Sequence, residues 1–464
     1  MASSLYRRIY SGDSLYSAWR KVKESAFTSS SETIRNEAKV FESQLPKSLS
    51  DIQRALSKKI FAFQKQTGVA KTKANGNSRP IVLSPIPNRI VQRALLDALQ
   101  SRIKFVKEAL ATPTSYGGIQ NKRVAMAVTD AKEAISKGAA FHIRSDIAEF
   151  FTKIDKARVV KLVAPYIKCP DTLALLKAAI TTDLANIDVL RRQGLDEIFP
   201  LGVEGVAQGS PLSPLIANLY LHDFDKAMND GDVICLRYID DFLILGKDMG
   251  CVDRAFSKAQ KELKKLSLEA YRPSATSNKA SRGLTAKGFD FLGCFVSAGL
   301  VQPSTATRER FKKRIKSDLD ASIRMMKFSV EAEDISPKGS YSGALQNIDR
   351  VILGWGKAFS FCSNGQWIKS LDDYITSALA QYEVEKTNLF EKTSSNVQRT
   401  MLGVRLLATV TLRAEKLSEN FWPFAVPARE ADNCRKQMFI RASFVMMGIS
   451  PTSLRSSIFK KFVR

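Results

Sequence analysis

The first third of the chain places apolar residues at helical spacing. Leu15, Trp19 and Val22 share one helix face, and the same spacing continues downstream, so we predict amphipathic helices over residues 13–70. The basic stretch KTKANGNSRP at 71–80 contains Gly and Asn and precedes the apolar IVL, which indicates the tip of a hairpin. A solvated turn is the alternative interpretation of that stretch.

The middle of the chain contains apolar runs of strand length that end on acidic residues. The segment AAFHIRSDIAEFFTKI at 139–154 predicts a buried strand that ends at Asp146, and a helix-rich insert follows it. The segment at 206–228 begins as a loop with Gly, Ser and Pro and continues as a helix. In VICLRYIDDFLILG, two apolar strands flank Asp240 and Asp241, which predicts a hairpin with charge at its bend.

Basic residues dominate the helix predicted for residues 304–327, where eight basic residues accompany three acidic ones. Such a run usually marks a solvated helix face, and a nucleic-acid backbone is the competing partner. The other elements predicted here are a helix at 252–268, a strand pair at 288–297, a polar linker at 331–343, and helices at 344–384 and 396–464.

The composition is that of a globular protein with a large excess of positive charge. Of its 464 residues, 44% are hydrophobic and 25% are charged, which excludes a disordered tail protein and a disulfide-stapled miniprotein. Lysine and arginine total 71 against 46 for aspartate and glutamate, a net charge of +25. A polyanion such as nucleic acid suits this excess best, and a merely soluble basic protein is the alternative.

The cysteines and the N-terminus bear on metal chemistry and on the compartment. The six cysteines are scattered without a C-x-x-C pair, and His142 and His222 are the only histidines, which argues against a structural zinc site. The first residues lack the apolar core of a secretory signal, and no run of about 18 apolar residues occurs. We therefore expect a cytoplasmic protein with free thiols and no membrane partner.

Three aspartates at strand ends are the strongest candidates for chemistry. Asp146, Asp240 and Asp241 follow apolar strands, where burial of an unpaired charge costs several kcal/mol. Clustered carboxylates would repel one another unless a cation lay among them, and oxygen ligands favour Mg²⁺. Two such ions activate an attacking oxygen and stabilise a leaving phosphate oxygen, so the set predicts nucleotidyl transfer with two Mg²⁺ ions. An ordinary turn is the usual meaning of one Asp-Asp pair at a bend.

The order of these motifs resembles that of reverse transcriptases. Asp146 with the aromatic residues after it, QGSPLSPLIANLYL from Gln208, and YIDD at 238–241 are similar to motifs A, B and C of that family. RPIVLSPIPNRIVQRALLDAL from Arg79 resembles the fingers motif of the bacterial, group II intron-like branch. Further likenesses are SNK at 277–279 to motif D, FLG at 291–293 to the primer grip, and NIDRVILGWGKAFSF from Asn347 to the thumb.

The resemblance covers about residues 5–385 and implies a fold class. It implies an α+β chain with the right-hand polymerase fold, made of fingers, a ferredoxin-like palm and a helical thumb, with an extra α-helical C-terminal region. The implied domains are N-terminal helices and fingers at 1–138, a palm at 139–300 with a helical insert at about 156–200, a helical thumb at 301–385, and a C-terminal helical extension at 386–464.

The resemblance also implies roles for individual residues. Asp146, Asp240 and Asp241 would be catalytic and, with Ile147, would be the metal-binding positions. Phe151 would be the sugar gate, because a ring under C2′ leaves no room for a ribose hydroxyl. The other nucleotide-binding positions are Arg79, Lys71 and Lys73 for the triphosphate, Gln208 and Gly209 near the sugar and base, and Lys279 for the pyrophosphate leaving group. The primer grip would be Leu292 and Gly293, and the basic helix adds the RNA-binding candidates Arg308, Arg310, Lys312, Lys313 and Lys316.

Motifs that are absent from the sequence narrow the choice among the branches of reverse transcriptases. No Cys/His cluster follows the thumb-like segment, and the Asn-Ala-x-x-His element and Val-Thr-Gly motif of retron enzymes do not occur. The likeness is therefore to the defence-associated and unknown-group reverse transcriptases, which implies DNA synthesis from dNTPs on an RNA template, a structured non-coding RNA, in antiphage defence. Two alternatives stay open: a maturase-type RNA-binding protein, and a template-independent polymerase primed by a tyrosine such as Tyr374 or Tyr382.

The C-terminal tail has a charge pattern of its own. Residues 391–464 hold 13 basic and five acidic residues together with apolar helix faces. Binding of a structured RNA, self-association into a homo-oligomer, and packing against the thumb are the three alternatives for this tail.

Overall fold

The structure is a computed structural model that describes residues 4–29, 31–72, 78–274, 278–332, 335–336, 338–363, 365–404 and 407. These residues form two compact units, one within Met1–Arg314 and Ile352–Ile375 and one within Ile315–Val351 and Thr376–Arg464. Most of the predicted C-terminal extension lies outside the described residues, as do residues 73–77 of the predicted hairpin tip.

Helices are the commonest elements of the described chain. In chain order they are α1 (Ser4–Ile9), α2 (Gly12–Phe27), α3 (Glu32–Ser43), α4 (Leu45–Ser57), α5 (Ile86–Arg102), α6 (Lys104–Leu110), α7 (Val124–Ser136), α8 (Phe150–Lys153), α9 (Lys156–Val163), α10 (Pro170–Ala179), α11 (Ile187–Arg192), α12 (Ser213–Tyr220), α13 (His222–Met228), α14 (Met249–Lys264), α15 (Thr305–Ala332), α16 (Tyr341–Ala358), α17 (Gln366–Phe390) and α18 (Ser395–Leu402).

The strands form three antiparallel sheets. They are β1 (Thr67–Thr72), β2 (Ser78–Leu83), β3 (Phe141–Asp146), β4 (Ile234–Tyr238), β5 (Asp241–Gly246), β6 (Ala280–Leu284), β7 (Phe289–Phe291), β8 (Cys294–Ser297) and β9 (Leu300–Pro303). β1 and β2 form a hairpin, the central sheet has the order β4-β5-β3-β6, and the third sheet has the order β7-β8-β9.

The central sheet is covered on both faces. Successive residues of a strand point to opposite faces, and in β5 Phe242 and Ile244 join the apolar cluster that contains α14. Leu243 and Leu245 join a second cluster that contains α7. Because both faces of β5 are buried, the four residues that follow Asp241 are all apolar, and the predicted hairpin around the acidic pair is confirmed.

The N-terminal helices pack against one another through the apolar helix face that the sequence predicts. α2 begins after Ser11, whose hydroxyl accepts the backbone N–H of Ser14 at 3.3 Å. The buried ring of Trp19 in α2 lies 4.9 Å from the ring of Phe41 in α3. The helices predicted at the start of the 13–70 range are therefore confirmed.

The helical prediction for residues 58–70 is wrong. Lys59 has a φ of 60°, and both the backbone N–H and the carbonyl of Gln64 bond to the side chain of Asn88. The backbone N–H of Gln66 bonds to the carbonyl of Asp183. Since these backbone groups find partners outside the segment, the chain leaves the helix and runs into β1.

The second unit is held by contacts among its helices. The hydroxyl groups of Ser322 and Tyr382 lie 2.8 Å apart, and the Tyr382 ring stacks on that of Tyr341 at 5.7 Å. The side-chain amide of Asn347 donates to Asp318 at 2.9 Å. Across the described residues, no helix combines the length and the apolarity that crossing a membrane would need.

Candidate active site

Two strands of the central sheet end in aspartates that face each other. Asp146 is the last residue of β3 and Asp241 the first of β5, and they are direct partners across the antiparallel pair. Asp240 lies in the two-residue turn that joins β4 to β5. Like charges directly opposite each other destabilise a sheet, so packing does not account for this arrangement. The structure brings the three predicted carboxylates together at one end of the sheet.

The turn between β4 and β5 has a strained backbone. Ile239, its first residue, has a φ of 61°, which is a genuine outlier for a β-branched residue. The backbone N–H of Ile147 donates to the carbonyl of Asp240 at 2.8 Å, which ties the turn to the chain leaving β3. Strain of this kind persists only where the surrounding structure enforces it, and it clusters at functional sites.

A buried arginine behind the turn supports that conformation. The guanidinium of Arg237 is fully buried and donates to both carboxylate oxygens of Asp225 at 2.6 Å. It also donates to the side chains of Ser115 and Asn218, and its Nη1 donates to the carbonyl of Ile239 at 2.9 Å. Arg237 was not predicted from the sequence, where its only signal is an arginine inside an apolar strand.

Two glycines allow a neighbouring segment to close over the turn. A Cβ on Gly117 would lie 2.5 Å from Cγ1 and 2.6 Å from the backbone nitrogen of Ile239. A Cβ on Gly118, whose φ is 69°, would lie 2.4 Å from Cβ of Pro214. Only glycine permits these approaches without displacement of the turn. Neither glycine was predicted from the sequence, because a Gly-Gly pair indicates a turn but not which residues the turn packs against.

Two cations lie beside the carboxylates. Lys279 Nζ forms a short ion pair with Asp146, and Arg144 Nε lies 3.7 Å from Asp241 Oδ1. The guanidinium of Arg144 also donates to two backbone carbonyls at 3.1 Å each, which fixes its position. Lys279 was among the predicted residues, whereas Arg144 was not singled out from the sequence.

Burial and mutual repulsion raise the pKa values of the carboxylates in the turn. Burial raises the pKa of Asp241 to about 7, and the charge of Asp146 acts in the same direction. Burial and the charge of Asp146 also raise the pKa of Asp240, and the charge of Lys279 acts against this. Burial opposes the charge on Lys279, but the hydrogen bond to Asp146 and the charges of Asp146 and Asp240 together outweigh burial and raise the pKa of Lys279.

The donor set at this end of the sheet suits a divalent metal ion. Asp241 Oδ1 is buried and makes no hydrogen bond, and the neighbouring carboxylates supply further hard oxygen atoms. Within the described part of the chain, no group of three or more His, Cys, Asp or Glu side chains is already arranged to hold a metal ion. Lys279 and Arg144 lie against the carboxylates instead, so the two-ion site stays a prediction.

The predicted triphosphate residues lie on the β1–β2 hairpin. Arg79 is exposed and is the register partner of Lys71, while Lys73 falls outside the described residues. Burial raises the pKa of Asp240, and the charge of Arg79 is one of those that oppose the rise. Arg79 is therefore within electrostatic reach of the turn that carries the carboxylates.

The loop at Gln208 and Gly209 packs against the same hairpin. The carbonyl of Gln208 accepts the backbone N–H of Val82 at 3.0 Å. Gly209 has a φ of 113°, and a Cβ at this position would lie 3.1 Å from the carbonyl oxygen of Val82. The absence of a side chain at Gly209 thus lets this loop approach β2 closely.

The two phenylalanines that follow β3 differ in burial. Phe150 is 2% exposed and packs in the core, whereas Phe151 is partly exposed, with its ring 5.3 Å from that of Phe150. Both belong to the short helix α8, which Glu149 precedes with a φ of 49°. Phe151 is therefore less buried than Phe150, although it also packs against the core.

Leu292 and Gly293 form the two-residue turn between β7 and β8, which confirms the predicted strand pair. Both have positive φ, 49° and 81°, which is the pattern of a type I′ hairpin turn. The carbonyl of Gly293 accepts the backbone N–H of Ser304 at 2.9 Å. This bond links the turn to the residue that precedes α15.

The basic helix predicted at 304–327 is confirmed as part of α15. Lys312 forms an ion pair with Glu309 at 3.0 Å, so part of its charge is compensated. Of the five RNA-binding candidates, the exposed ones are Arg310, Lys313 and Lys316, and the half-buried ones are Arg308 and Lys312.

The two tyrosines considered for protein priming use their hydroxyl groups within the fold. Tyr374 donates to the carbonyl of Lys312 at 3.2 Å. Tyr382 is buried, with its hydroxyl 2.8 Å from that of Ser322. Each hydroxyl would have to leave this partner before it could accept a nucleotide.

Comparisons with known proteins agree with the motif order. The reverse transcriptase (RNA-dependent DNA polymerase) family matches residues 64–296. Protein YkfC of Escherichia coli is 28% identical over 162 residues, 34% of this chain and 39% of its own length. An uncharacterized 91 kDa protein in the cob intron of Schizosaccharomyces pombe is 24% identical over 181 residues, 38% of this chain and 20% of its own length. The chain thus spans well under half the length of either relative.

Among solved structures, apo telomerase from Candida tropicalis matches 78% of this chain and 68% of its own, at 14% identity and a TM-score of 0.39. The residues matched by the family, 64–296, are half of the chain and include Asp146, Asp240 and Asp241. The fold class and the resemblance predicted from the sequence are confirmed, and the chain belongs to the reverse transcriptase (RNA-dependent DNA polymerase) family.

Proposed function

We propose that this protein is an RNA-directed DNA polymerase that joins nucleotides at Asp146, Asp240 and Asp241. Membership of the reverse transcriptase family supports the reaction class. The observation that carries the site is the register of β3 and β5, which sets Asp146 opposite Asp241 with Asp240 in the adjoining turn. Carboxylates in this arrangement do not stabilise the packing of the sheet. They can instead hold the metal ions that reactions at phosphate groups use.

In the proposed reaction, the 3′-hydroxyl of the primer loses its proton to water and its oxygen forms a bond to the α-phosphorus of a dNTP. The bond from that phosphorus to the bridging oxygen breaks, and pyrophosphate leaves. Asp146, Ile147, Asp240 and Asp241 would hold two Mg²⁺ ions, which supply activation of the attacking oxygen and stabilisation of the leaving oxygen when bound. Lys279 Nζ, which contacts Asp146, would donate a hydrogen bond or a proton to the departing pyrophosphate.

The incoming nucleotide would lie between the β1–β2 hairpin and the carboxylates. The exposed guanidinium of Arg79 would clamp its triphosphate, with Lys71 or Lys73 adding charge. The partly exposed ring of Phe151 would exclude a ribose hydroxyl by steric clash. Gln208 and Gly209 would pack near the sugar and base.

The nucleic-acid strands would follow the remaining predicted positions. Leu292 and Gly293 would contact the primer, and the exposed cations of α15 would bind the RNA backbone. We assign fingers to 1–138, palm to 139–300, thumb to 301–385, and an extension to 386–464 that could bind RNA or form a homo-oligomer.

The biological setting that we propose is antiphage defence in the bacterial cytoplasm, with DNA made on a structured non-coding RNA. Support comes from the likeness of the motifs at 79–99, 208–221 and 238–241 to the group II intron-like branch. The five cysteines in the described residues are free thiols, as a reducing compartment requires. The net charge of +25 suits an RNA partner.

A maturase-type RNA chaperone is the competing function, and the carboxylates distinguish the two. The test is primer extension on an RNA template by the Asp240→Ala/Asp241→Ala protein, with RNA binding measured in parallel. We expect extension to fall at least about 10³-fold, because metal binding and charge stabilisation supply most of the rate, while RNA affinity is kept.

The matched control is Asp230→Ala/Asp232→Ala, which removes two exposed carboxylates from the loop before β4. This variant should extend primers at the parent rate. If the Asp240→Ala/Asp241→Ala protein still extends primers, or still protects cells against phage, the polymerase proposal is contradicted and the chaperone is favoured.

A further inference from the structure

A cavity of about 710 Å³ in the first unit shares no residue with the candidate active site. It lies between α1, the C-terminal end of α5 and the segment that precedes α10. Four of its lining residues are cations: Arg7, Arg8, Arg102 and Lys168. We call this set of four the basic pocket. Its cations come from three separate parts of the chain, so it is not one solvated helix face.

The charge of the basic pocket is not compensated by the residues around it. All four cations are exposed, no Asp or Glu lines the cavity, and among the described residues none of the four forms an ion pair. The acidic residue closest in sequence, Asp171, is paired with Lys59 at 2.8 Å. Like charges brought together from distant segments repel one another, and an anionic ligand would remove that cost.

An aromatic platform lies at the edge of the same cavity. Tyr166 lines the cavity and is 48% exposed, and its ring stacks on that of Phe105 with centroids 4.8 Å apart and planes at 6°. Phe105 is held in turn by an edge contact with His222 at 5.5 Å. One face of Tyr166 is therefore fixed by stacking while about half of the side chain stays accessible, an arrangement suited to stacking of a base.

We propose that the basic pocket binds a single-stranded segment of the RNA, with phosphates on its four cations and a base stacked on Tyr166. Phosphate-binding cations combined with an aromatic ring are the usual means of holding single strands. The choice of RNA over DNA rests on the proposed function, since the template of that reaction is RNA. The pocket anchors the RNA through residues other than those that perform the chemistry.

The main test replaces the four cations by glutamine, Arg7→Gln/Arg8→Gln/Arg102→Gln/Lys168→Gln, in the full chain. Binding of labelled single-stranded RNA of about 16 nucleotides is measured between 50 and 200 mM salt, values that span about physiological strength. We expect affinity to fall at least about 10-fold, and the slope of log affinity against log salt to shrink by about 2 to 3.

The matched control removes four exposed cations elsewhere, with Lys39→Gln/Lys132→Gln/Lys261→Gln/Lys264→Gln on α3, α7 and α14. An equal loss of affinity and of salt slope in this control would overturn the proposal, because net charge alone would then explain binding. Tyr166→Ala should weaken binding about 5-fold or more, and Tyr166→Phe should keep the affinity of the parent protein.

Two further measurements keep the test decisive. If the glutamine variant does not fold, photocrosslinking of 4-thiouridine RNA to the unmodified protein must label the peptide that contains Tyr166, and its absence among the crosslinks overturns the site. If single-stranded DNA of the same sequence competes for the basic pocket as well as unlabelled RNA does, or better, the assignment to RNA is overturned. Asp240→Ala/Asp241→Ala should crosslink at the same peptide, so a failure of the polymerase proposal would leave this result intact.

Discussion

Two hairpin turns in the first unit differ in how their strain is supported. The β4–β5 turn, which we propose as the catalytic turn, places Ile239 at a φ of 61°, and the β7–β8 turn, which we propose as the primer-grip turn, places Leu292 at a φ of 49°. In the second turn the next residue is Gly293, which adopts a positive φ freely. In the first turn the strained residue, Ile239, is β-branched, for which a positive φ is a genuine outlier, so its surroundings must hold the conformation.

Those surroundings show what the catalytic turn requires. The carbonyl of Ile239 accepts a hydrogen bond from Arg237, and Gly117 packs directly against its side chain and backbone nitrogen. The β7–β8 turn accepts a backbone hydrogen bond from Ser304, and Leu292 packs against the second apolar cluster. The turn that carries the acidic pair is thus fixed from behind by a buried polar network, whereas the β7–β8 turn is supported by packing of Leu292 and by a glycine at its second position.

Loss of the buried arginine should have the largest effect on stability. Arg237→Met leaves Asp225 buried without its partner, and we expect the free energy of unfolding to fall by about 3–5 kcal/mol. Chemical denaturation measures this loss. Arg282→Met is the control, because it breaks an exposed ion pair with Asp253 and should cost no more than about 1 kcal/mol.

A smaller loss for Arg237→Met than for its control would contradict the supporting role of the network. The double variant Arg237→Met/Asp225→Leu should recover part of the lost stability, since it also removes the unpaired charge. Recovered stability without recovered primer extension would show that Arg237 positions the turn, and does not only stabilise the fold.

The pH dependence of stability should report the burial of Asp241. Burial raises the pKa of Asp241 to about 7, well above its value of about 3.9 in an unfolded chain. Between these values the folded protein binds the proton more tightly, so this residue makes the free energy of unfolding fall as pH rises from about 4 to 7. The fall amounts to at most about 4 kcal/mol.

The measurement compares the parent protein with Asp241→Asn in the presence of a chelator. The parent should lose stability relative to the variant as pH rises, since asparagine cannot ionise. Parallel stability curves across this range would mean that the carboxylate of Asp241 is not desolvated in the folded protein.

The close approach of Gly117 should tolerate no side chain. Gly117→Ala places a Cβ 2.5 Å from Ile239, so the turn must shift, at a cost of about 1–3 kcal/mol. Primer extension should fall about 10²-fold, because a displacement of about 1 Å is enough to misalign reacting groups. Gly202→Ala, where nothing lies within 4 Å, should match the parent protein in stability and rate. Unchanged extension by Gly117→Ala would show that the turn is not fixed by this contact.

The sequence predicted the parts of the site that lie on contiguous motifs. The apolar runs around Asp146 and the Asp240–Asp241 pair predicted strands, and their register then follows from antiparallel pairing. The supporting residues could not be predicted in this way. Arg237 bonds to residues on α12 and α13, and Gly117 contacts Ile239 more than a hundred positions away, so only the tertiary fold shows their partners.

The helical prediction for residues 58–70 was wrong for a related reason. Residues 58–70 have helical spacing of apolar residues, yet Asn88 bonds to the backbone of Gln64 and draws the segment away from the helix. Periodicity records which face is apolar but not which distant side chain competes for the backbone. The fold class could be predicted because it follows from the order of the motifs, and that order is read directly from the sequence.

The smallest effect should come from relief of strain at the primer-grip turn. Asparagine tolerates positive φ and Asn-Gly is the favoured pair in type I′ turns, while the partly buried Leu292 side chain loses its contacts with the second apolar cluster. Because these effects oppose each other, Leu292→Asn should change the free energy of unfolding by no more than about 1 kcal/mol. The same change at the catalytic turn, Ile239→Asn, should cost more, because the side chain of Ile239 packs against Gly117 and Gly118. Thermal denaturation and primer extension on both variants test the comparison.

If Leu292 contacts the primer as proposed, Leu292→Asn should lower the rate of primer extension while the free energy of unfolding stays level. A loss of stability equal to that of Ile239→Asn would show that the two turns are supported alike.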